Sequence, residues 1–551
     1  MSRMVKNILF IMCDQLRFDY LGCAGHPHMH TPNIDALAAR GVRFNRAYAQ
    51  SPICGASRMC FYTGRYVHSH GATWNNVPLK VGEMTIGDYL RPLGLRTALV
   101  GKTHMMADTE GMARLGIDPA SEIGVQVSEC GFEPFERDDG LYGTGPDGRY
   151  DEREPRYNDY LRDLGYDGDN PWHDWANAAA DDDGELLSGW FLKNAGRPAR
   201  IPDEHSETPY MTRRAIDFIA EAGDDPWCLH LSYIKPHWPY IVPAPYHALY
   251  GPDAVVEPVR AEIERGNHAH PVFRAFMDHR VARAFSRDDV RRAVIPAYMG
   301  LIAQIDDQLG VLFQFLQTHG LFDDTMIVLT SDHGDYLGDH WLGEKDLFHD
   351  PSVKIPLIVY DPSKAADTAR GTVCDMLTES IDLLPTFIEV LGGEPQPHRL
   401  EGLSLTPFLH GRTPRDWRHY AISEYDYSQL PAARALGTGP SDSRLFMVTD
   451  KQWKYVHAEG FRPMLFDLEN DPDEFVDLGD DDRYDDVRRI MAAALERWAL
   501  RASQRTTISD DDIRGRRDHP ADTGILIGFW DAGELPRPLR RPYRKILENR
   551  D

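Results

Sequence analysis

No stretch of this 551-residue chain approaches the roughly 20 consecutive apolar residues of a membrane span. The apolar run at residues 7–13 is too short for a secretory signal and has no small-residue cleavage site behind it. These absences read as a cytoplasmic protein with no membrane partner. Cysteine is also scarce: seven residues, an odd number, scattered without close metal-type pairs. That suits a reducing compartment better than a disulfide framework. Basic residues are in deficit, 60 Lys and Arg against 86 Asp and Glu, for a formal charge of -26. Nucleic acids, anionic surfaces and long polyanions are therefore poor partners for the body as a whole. No internal repeat is present.

What the chain does have is an ordinary globular composition, 42% hydrophobic and 26% charged, at a length too great for one core. Residues 7–13 form a β-branched and aliphatic run that stops at Asp14, the pattern of a strand buried on both faces. Thr31 and Pro32 then open a helix as cap and first-turn proline, and Gly41 closes it. Further strands are expected at residues 96–100, 227–234, 325–330 and 355–360, with a long helix over 288–317. This rhythm predicts an α/β fold, with a central mostly parallel sheet flanked by helices. Residues 152–200 turn acidic and aromatic and read as a surface insertion able to line a substrate pocket. A helix is expected over 379–391. Short alternating runs at 420–423, 445–449, 453–457 and 464–468, then an amphipathic helix at 485–501, predict a smaller C-terminal α+β domain. The expected division is 1–411, 412–505 and a tail at 506–551. That tail holds basic clusters, notably at 537–544, and is a candidate arm for a dimer or tetramer.

In open α/β sheets ligands bind beyond the carboxyl ends of the strands. Four predicted strand ends are unusually polar: Asp14-Gln15, Lys102-Thr103-His104, Lys235-Pro236-His237 and Asp332-His333-Gly334. Asp14, Gln15, Asp332 and His333 make a mostly oxygen site for one divalent cation, Mn²⁺ or Ca²⁺, with the imidazole tilting toward Mn²⁺. A helix start just after Cys54, with Arg58 one turn on, favours negative charge on the Cys54 side chain.

Cys54, Ala56 and Arg58, followed by Thr63-Gly64-Arg65, resemble the sulfatase motif, in which the cysteine is oxidised to formylglycine. Ala56 departs from the more usual proline. The likeness runs from Asn7 to the segments Leu465-Phe466-Asp467-Leu468 and Asn470-Asp471-Pro472. It implies the alkaline phosphatase-like fold, and is greatest to the phosphonate monoester hydrolase and arylsulfatase branch. Asp14-Gln15 and Asp332-His333 match that branch. Lys102 and His104 follow the arylsulfatase pattern, whereas the phosphonate hydrolases carry tyrosine and threonine there.

The resemblance implies a formylglycine-generating enzyme as maturation partner and a small anionic ester as substrate. Residue 54 would join the cation, attack sulfur or phosphorus as a hydrate, and release the anion after deprotonation by His104. Arg58 would hold the hydrate oxygens, Lys102 and Lys345 the non-bridging oxygens, and His237 would protonate the leaving group. Asn75 matches a polar pocket position. The leading expectation is a hydrolase of small, aryl-type sulfate monoesters, promiscuous toward phosphonate monoesters and phosphodiesters. The alternatives are the phosphonate or diester activity as primary, direct thiolate catalysis by Cys54, or a binding protein that keeps the fold without turnover.

Overall fold

The structure is a computed structural model that describes residues 5–140, 145, 147–149, 153–266, 268–517 and 525–535. In chain order its strands are β1 (Asn7–Cys13), β2 (Val42–Tyr48), β3 (Arg96–Gly101), β4 (Glu133–Arg137), β5 (Ala178–Ala180), β6 (Leu186–Ser188) and β7 (Trp227–Tyr233). They continue with β8 (Thr325–Thr330), β9 (Leu357–Tyr360), β10 (Thr372–Glu379), β11 (Ala421–Asp426), β12 (Arg444–Thr449), β13 (Trp453–Ala458) and β14 (Met464–Asp467). The main sheet has the order β10-β2-β9-β8-β1-β7-β3-β4. Its pairings are parallel except at β9, which runs antiparallel to both neighbours.

Strand β1 is buried at every residue, because side chains on both of its faces enter a core. Leu9, Ile11 and Cys13 join a core that includes residues of helices Glu207–Ala222 and Asp288–Thr318. Ile8, Phe10 and Met12 point the other way, to Met59, Phe61 and Tyr62 of helix Cys54–Thr63 and to helix Leu383–Val390. The period of two along one strand thus divides the two helical layers.

Strands β11 to β14 form a separate antiparallel sheet beside helix Asp485–Ala499. Ile422, Val448 and Leu465 of this sheet pack with Met491 and with Ala56 and Cys60 of the Cys54 helix. That short helix is therefore pressed between the main sheet and the small one. All ten of its residues are buried, which fixes the side chain at its start.

Several expectations are corrected. Residues 379–391 do not form one helix: β10 runs to Glu379, and the α-helix begins at Leu383. The Asp382 carboxylate accepts the Glu379 N–H while the Glu379 carboxylate accepts from Ile422, so the chain stays extended until that junction is tied. Pro32 does begin a helix, but Thr31 does not cap it with its side chain. The Asp306 carboxylate, from the long helix, accepts the Asn33 and Ile34 N–H groups instead. Within the expected surface insertion, Tyr157, Leu161, Trp172 and Ala179 lie in the main core. Tyr160, Tyr166 and Trp175 pack half-buried against that core, while Asp182, Asp183, Trp190 and Phe191 are exposed. The basic run at 537–544 lies outside the described residues; of the tail at 506–551 the structure describes 506–517 and 525–535.

Candidate active site

Strands β8, β1, β7 and β3 are consecutive and parallel, so their carboxyl ends share one sheet edge. The turn after each delivers Asp332-His333, Asp14-Gln15, His237 and Lys102-His104 to that edge. Cys54, at the first turn of its helix, is fully buried among them. Lys235 is turned away: its ammonium donates to Asn177 Oδ1 at 2.7 Å and to the Pro239 carbonyl at 2.9 Å.

Asp14, Cys54, Asp332 and His333 each offer a ligand atom, and these atoms lie within 4.8 Å of one another. Both carboxylates are split in function. Asp14 Oδ2 accepts from Lys102 Nζ at 2.6 Å and from Arg58 at 3.1 Å, and Asp332 Oδ2 accepts from Arg58 Nε at 2.9 Å. The two Oδ1 atoms are each 3.9 Å from His333 Nε2. His333 Nδ1 lies 2.9 Å from the Gly334 carbonyl, which can only accept, so the neutral ring presents its Nε2 lone pair to the cluster. Gln15 donates its amide nitrogen to Tyr240 and Asp335. Its Oε1 is left buried without a hydrogen-bond partner, while its backbone N–H bonds Asp332. An orphaned carbonyl oxygen beside two carboxylates and an imidazole lone pair is a donor set that fits a divalent cation.

The cationic groups face the sulfur. Lys345 Nζ and His333 Nε2 are each 3.1 Å from Cys54 Sγ, and His237 Nε2 is 3.5 Å from Lys345 Nζ. Burial alone raises the Cys54 thiol, but Lys345, His333, Lys102 and a hydrogen bond from His104 outweigh it and hold the thiol well below its usual value. His333 is pulled down by burial and lifted more strongly by Asp332 and Cys54, to about 9. A divalent cation in the same place reverses that sign. His237 is lowered, first by burial and then by Lys345 and Lys102 against the opposing pull of Asp14. Its Nδ1 bonds the Trp238 carbonyl at 2.8 Å, which leaves Nε2 facing Lys345.

Arg58 is fully buried and spreads its donors over Asp332, Asp14, the Lys102 carbonyl and Ser232 Oγ. It braces the carboxylates and the β3 turn from behind, a different placement from the hydrate contact expected of it. Asn75 Oδ1 accepts the Gly55 N–H at 2.8 Å, so its carbonyl caps the Cys54 helix and only its amide nitrogen is left for a ligand. A Cβ on Gly55 would meet that oxygen at 2.9 Å, which explains the glycine beside Cys54.

Two contributors escaped the sequence reading. Asp139 accepts the backbone N–H of His104 at 3.1 Å and pairs with Arg137, holding His104 at φ 51°. Arg137 also pairs with Glu129, which accepts from the Thr103 hydroxyl at 2.9 Å. Asp335 orients Gln15 together with Tyr240. Its place one turn beyond Asp332-His333 was the available signal; the Asp139 contact spans 35 residues and has none.

Residues 6–393 match the description of the Sulfatase family, and residues 338–501 match the N-sulphoglucosamine sulphohydrolase C-terminal family. The multifunctional alkaline phosphatase superfamily protein PehA of Trinickia caryophylli is 32% identical, over 91% of this chain and 96% of that one. An arylsulfatase of Clostridium perfringens is 27% identical, covering 90% and 95%. The phosphonate monoester hydrolase of Silicibacter pomeroyi superposes with a TM-score of 0.78 at 28% identity, covering 91% and 96%. With this much of its length matched and the described site at its sheet edge, the chain belongs to the sulfatase family, whose members hydrolyse sulfate esters.

Proposed function

We propose that this chain hydrolyses small sulfate monoesters in the manner of an arylsulfatase, with phosphonate monoesters and phosphodiesters as further substrates. The observation that carries this reading is the convergence of Lys345, His333 and His104 on Cys54, opposite two carboxylates that each turn one oxygen toward the same centre. Oxidised to an aldehyde by a formylglycine-generating enzyme and then hydrated by water, residue 54 supplies a geminal diol as nucleophile, and the sulfur in this structure marks the position of its oxygens. A divalent cation, Mn²⁺ or Ca²⁺, held by Asp14, Gln15, Asp332, His333 and residue 54, supplies Lewis acidity there.

The chain's own residues do the rest. Arg58 keeps Asp14 and Asp332 aligned, so that their outer oxygens do not swing toward the substrate. Lys102 and Lys345 bind the non-bridging oxygens of the ester and neutralise their charge. His104 takes a proton from residue 54, and His237 Nε2 delivers one to the bridging oxygen. The test is the peptide mass across Cys54, from hosts with and without the generating enzyme. An aldehyde whose occupancy tracks hydrolysis is expected. An unmodified thiol with undiminished hydrolysis refutes the reading and leaves direct thiolate chemistry.

A second reading takes phosphonate monoesters as primary substrates. The likeness to a phosphonate monoester hydrolase at 28% identity favours it, while Lys102 and His104 beside Cys54 favour sulfate. Comparison of kcat/KM for 4-nitrophenyl sulfate and 4-nitrophenyl phenylphosphonate decides between them.

A further inference from the structure

An acid for the leaving group must reach the bridging oxygen, so the alcohol half of the ester lies on the His237 side of residue 54. That direction leads to tryptophan. The His237 and Trp238 rings are 4.1 Å apart, and Lys345 Nζ is 5.9 Å from the Trp238 centroid. Beyond Trp238 stands Trp190, its ring 5.1 Å away and inclined at 61°. Trp190 belongs to the acidic and aromatic segment, in which Trp172 is buried while Trp190 is 37% exposed and its neighbour Phe191 is 63% exposed. Each indole is pinned by its N–H, Trp238 to Glu344 Oε1 at 2.8 Å and Trp190 to His173 Nδ1 at 3.1 Å. The rings are thus set at an angle by polar ties, and part of Trp190 is left uncovered next to Trp238.

We infer that Trp238 and Trp190 form the subsite for the leaving group, and that its ligand is a flat aromatic ring carrying the ester oxygen. This rests on the placement of His237 as the leaving-group acid. The pair offers an edge and a face at fixed inclination, the arrangement in which aromatic rings associate favourably. An aliphatic alcohol finds no hydrogen-bonding partner in either indole N–H, since both are already engaged. The segment around Trp190 is therefore a determinant of specificity.

The test measures binding, so it does not depend on the leaving group's reactivity. Inorganic sulfate and 2-naphthalenesulfonate are titrated calorimetrically into the wild-type protein, Trp190→Ala and Trp190→Phe. Trp190→Ala is expected to weaken naphthalenesulfonate about tenfold and leave sulfate within about twofold, with Trp190→Phe restoring most of the loss. Equal weakening of both anions, or no change in either, overturns the subsite. The underlying reading fails separately: a wild-type protein that binds neither anion, or Lys345→Met that alters neither affinity, overturns the anion site itself.

Discussion

The unconverted protein, made without a formylglycine-generating enzyme and stripped of metal, is predicted to carry one thiolate at neutral pH. Burial pushes Cys13, Cys60, Cys130 and Cys228 well up, Cys23 up to about 12, and Cys374 upward too. Cys54 alone moves down, because the attraction of Lys345, His333 and Lys102 exceeds the burial that opposes it. The largest attraction can be isolated. At an effective dielectric of about 20, opposite charges 3.1 Å apart attract by about 5 kcal/mol. Half of that is about two pKa units, so Lys345→Met should raise the Cys54 thiol by roughly that much or more. The ultraviolet absorbance of thiolate, followed through a pH titration, reads both quantities. The sign for stability follows from the downward shift. The thiolate stabilises the fold fully above the unfolded thiol value of about 8.5, and this contribution is lost as pH falls through the lower folded value. A titration showing no thiolate at neutral pH, or several, or an unmoved Lys345→Met curve, refutes the electrostatic account of the site.

Other perturbations address the residues around the centre. Asp139→Asn should lower kcat about tenfold or more with little change in KM, since it loosens the His104 turn without touching the anion clamps; a KM effect alone would contradict this. Asp335→Ala frees Gln15 and should weaken Mn²⁺ or Ca²⁺ binding by about 10- to 100-fold in a metal titration, with unchanged folding by circular dichroism. Gly55→Ala forces the Cys54 helix against Asn75 and should destabilise the protein by about 1–3 kcal/mol in denaturant unfolding. His237→Ala should reduce hydrolysis of phenyl sulfate more than that of 4-nitrophenyl sulfate, whose better leaving group needs less help from an acid.

The parts legible in the sequence are those where one local pattern serves one purpose. The apolar run before Asp14 is a strand buried on both faces, and the polar residues that follow it must be at the sheet edge, whatever the rest does. The strand ends at Lys102, His237 and Asp332 were legible in the same way, as was Cys54 at a helix start. Residues that bridge distant elements were not. Asp306 caps a helix 272 residues earlier in the chain, and Glu379 ties the end of an edge strand to β11, so neither appears as a local signal. Arg58 reads as a residue next to the nucleophile, but its donors are drawn to four partners from other strand ends. The aromatic segment was read as surface because of its acidic stretch, although Tyr157 and Trp172 are buried and Tyr160, Tyr166 and Trp175 pack half-buried against the main core.

The resting electrostatics also bear on the kind of ester the site can turn over. His237 sits beside two ammonium groups, and burial and their charge both press it toward the neutral form. A neutral imidazole with its Nδ1 proton engaged by the Trp238 carbonyl has nothing to give at Nε2. An arriving anion changes that balance: its oxygens draw on Lys102 and Lys345, relieve the repulsion on His237 and favour a proton on Nε2. With His237 in the role proposed for it, the substrate therefore arms its own acid, and a neutral ligand does not. A singly charged sulfate monoester does so less than a doubly charged ester would, which leaves His237 only partly armed. Such a site works best on leaving groups that depart with modest protonation, and phenols are that class. The acid's weakness and the tryptophans beside it lead by separate routes to the same alcohol.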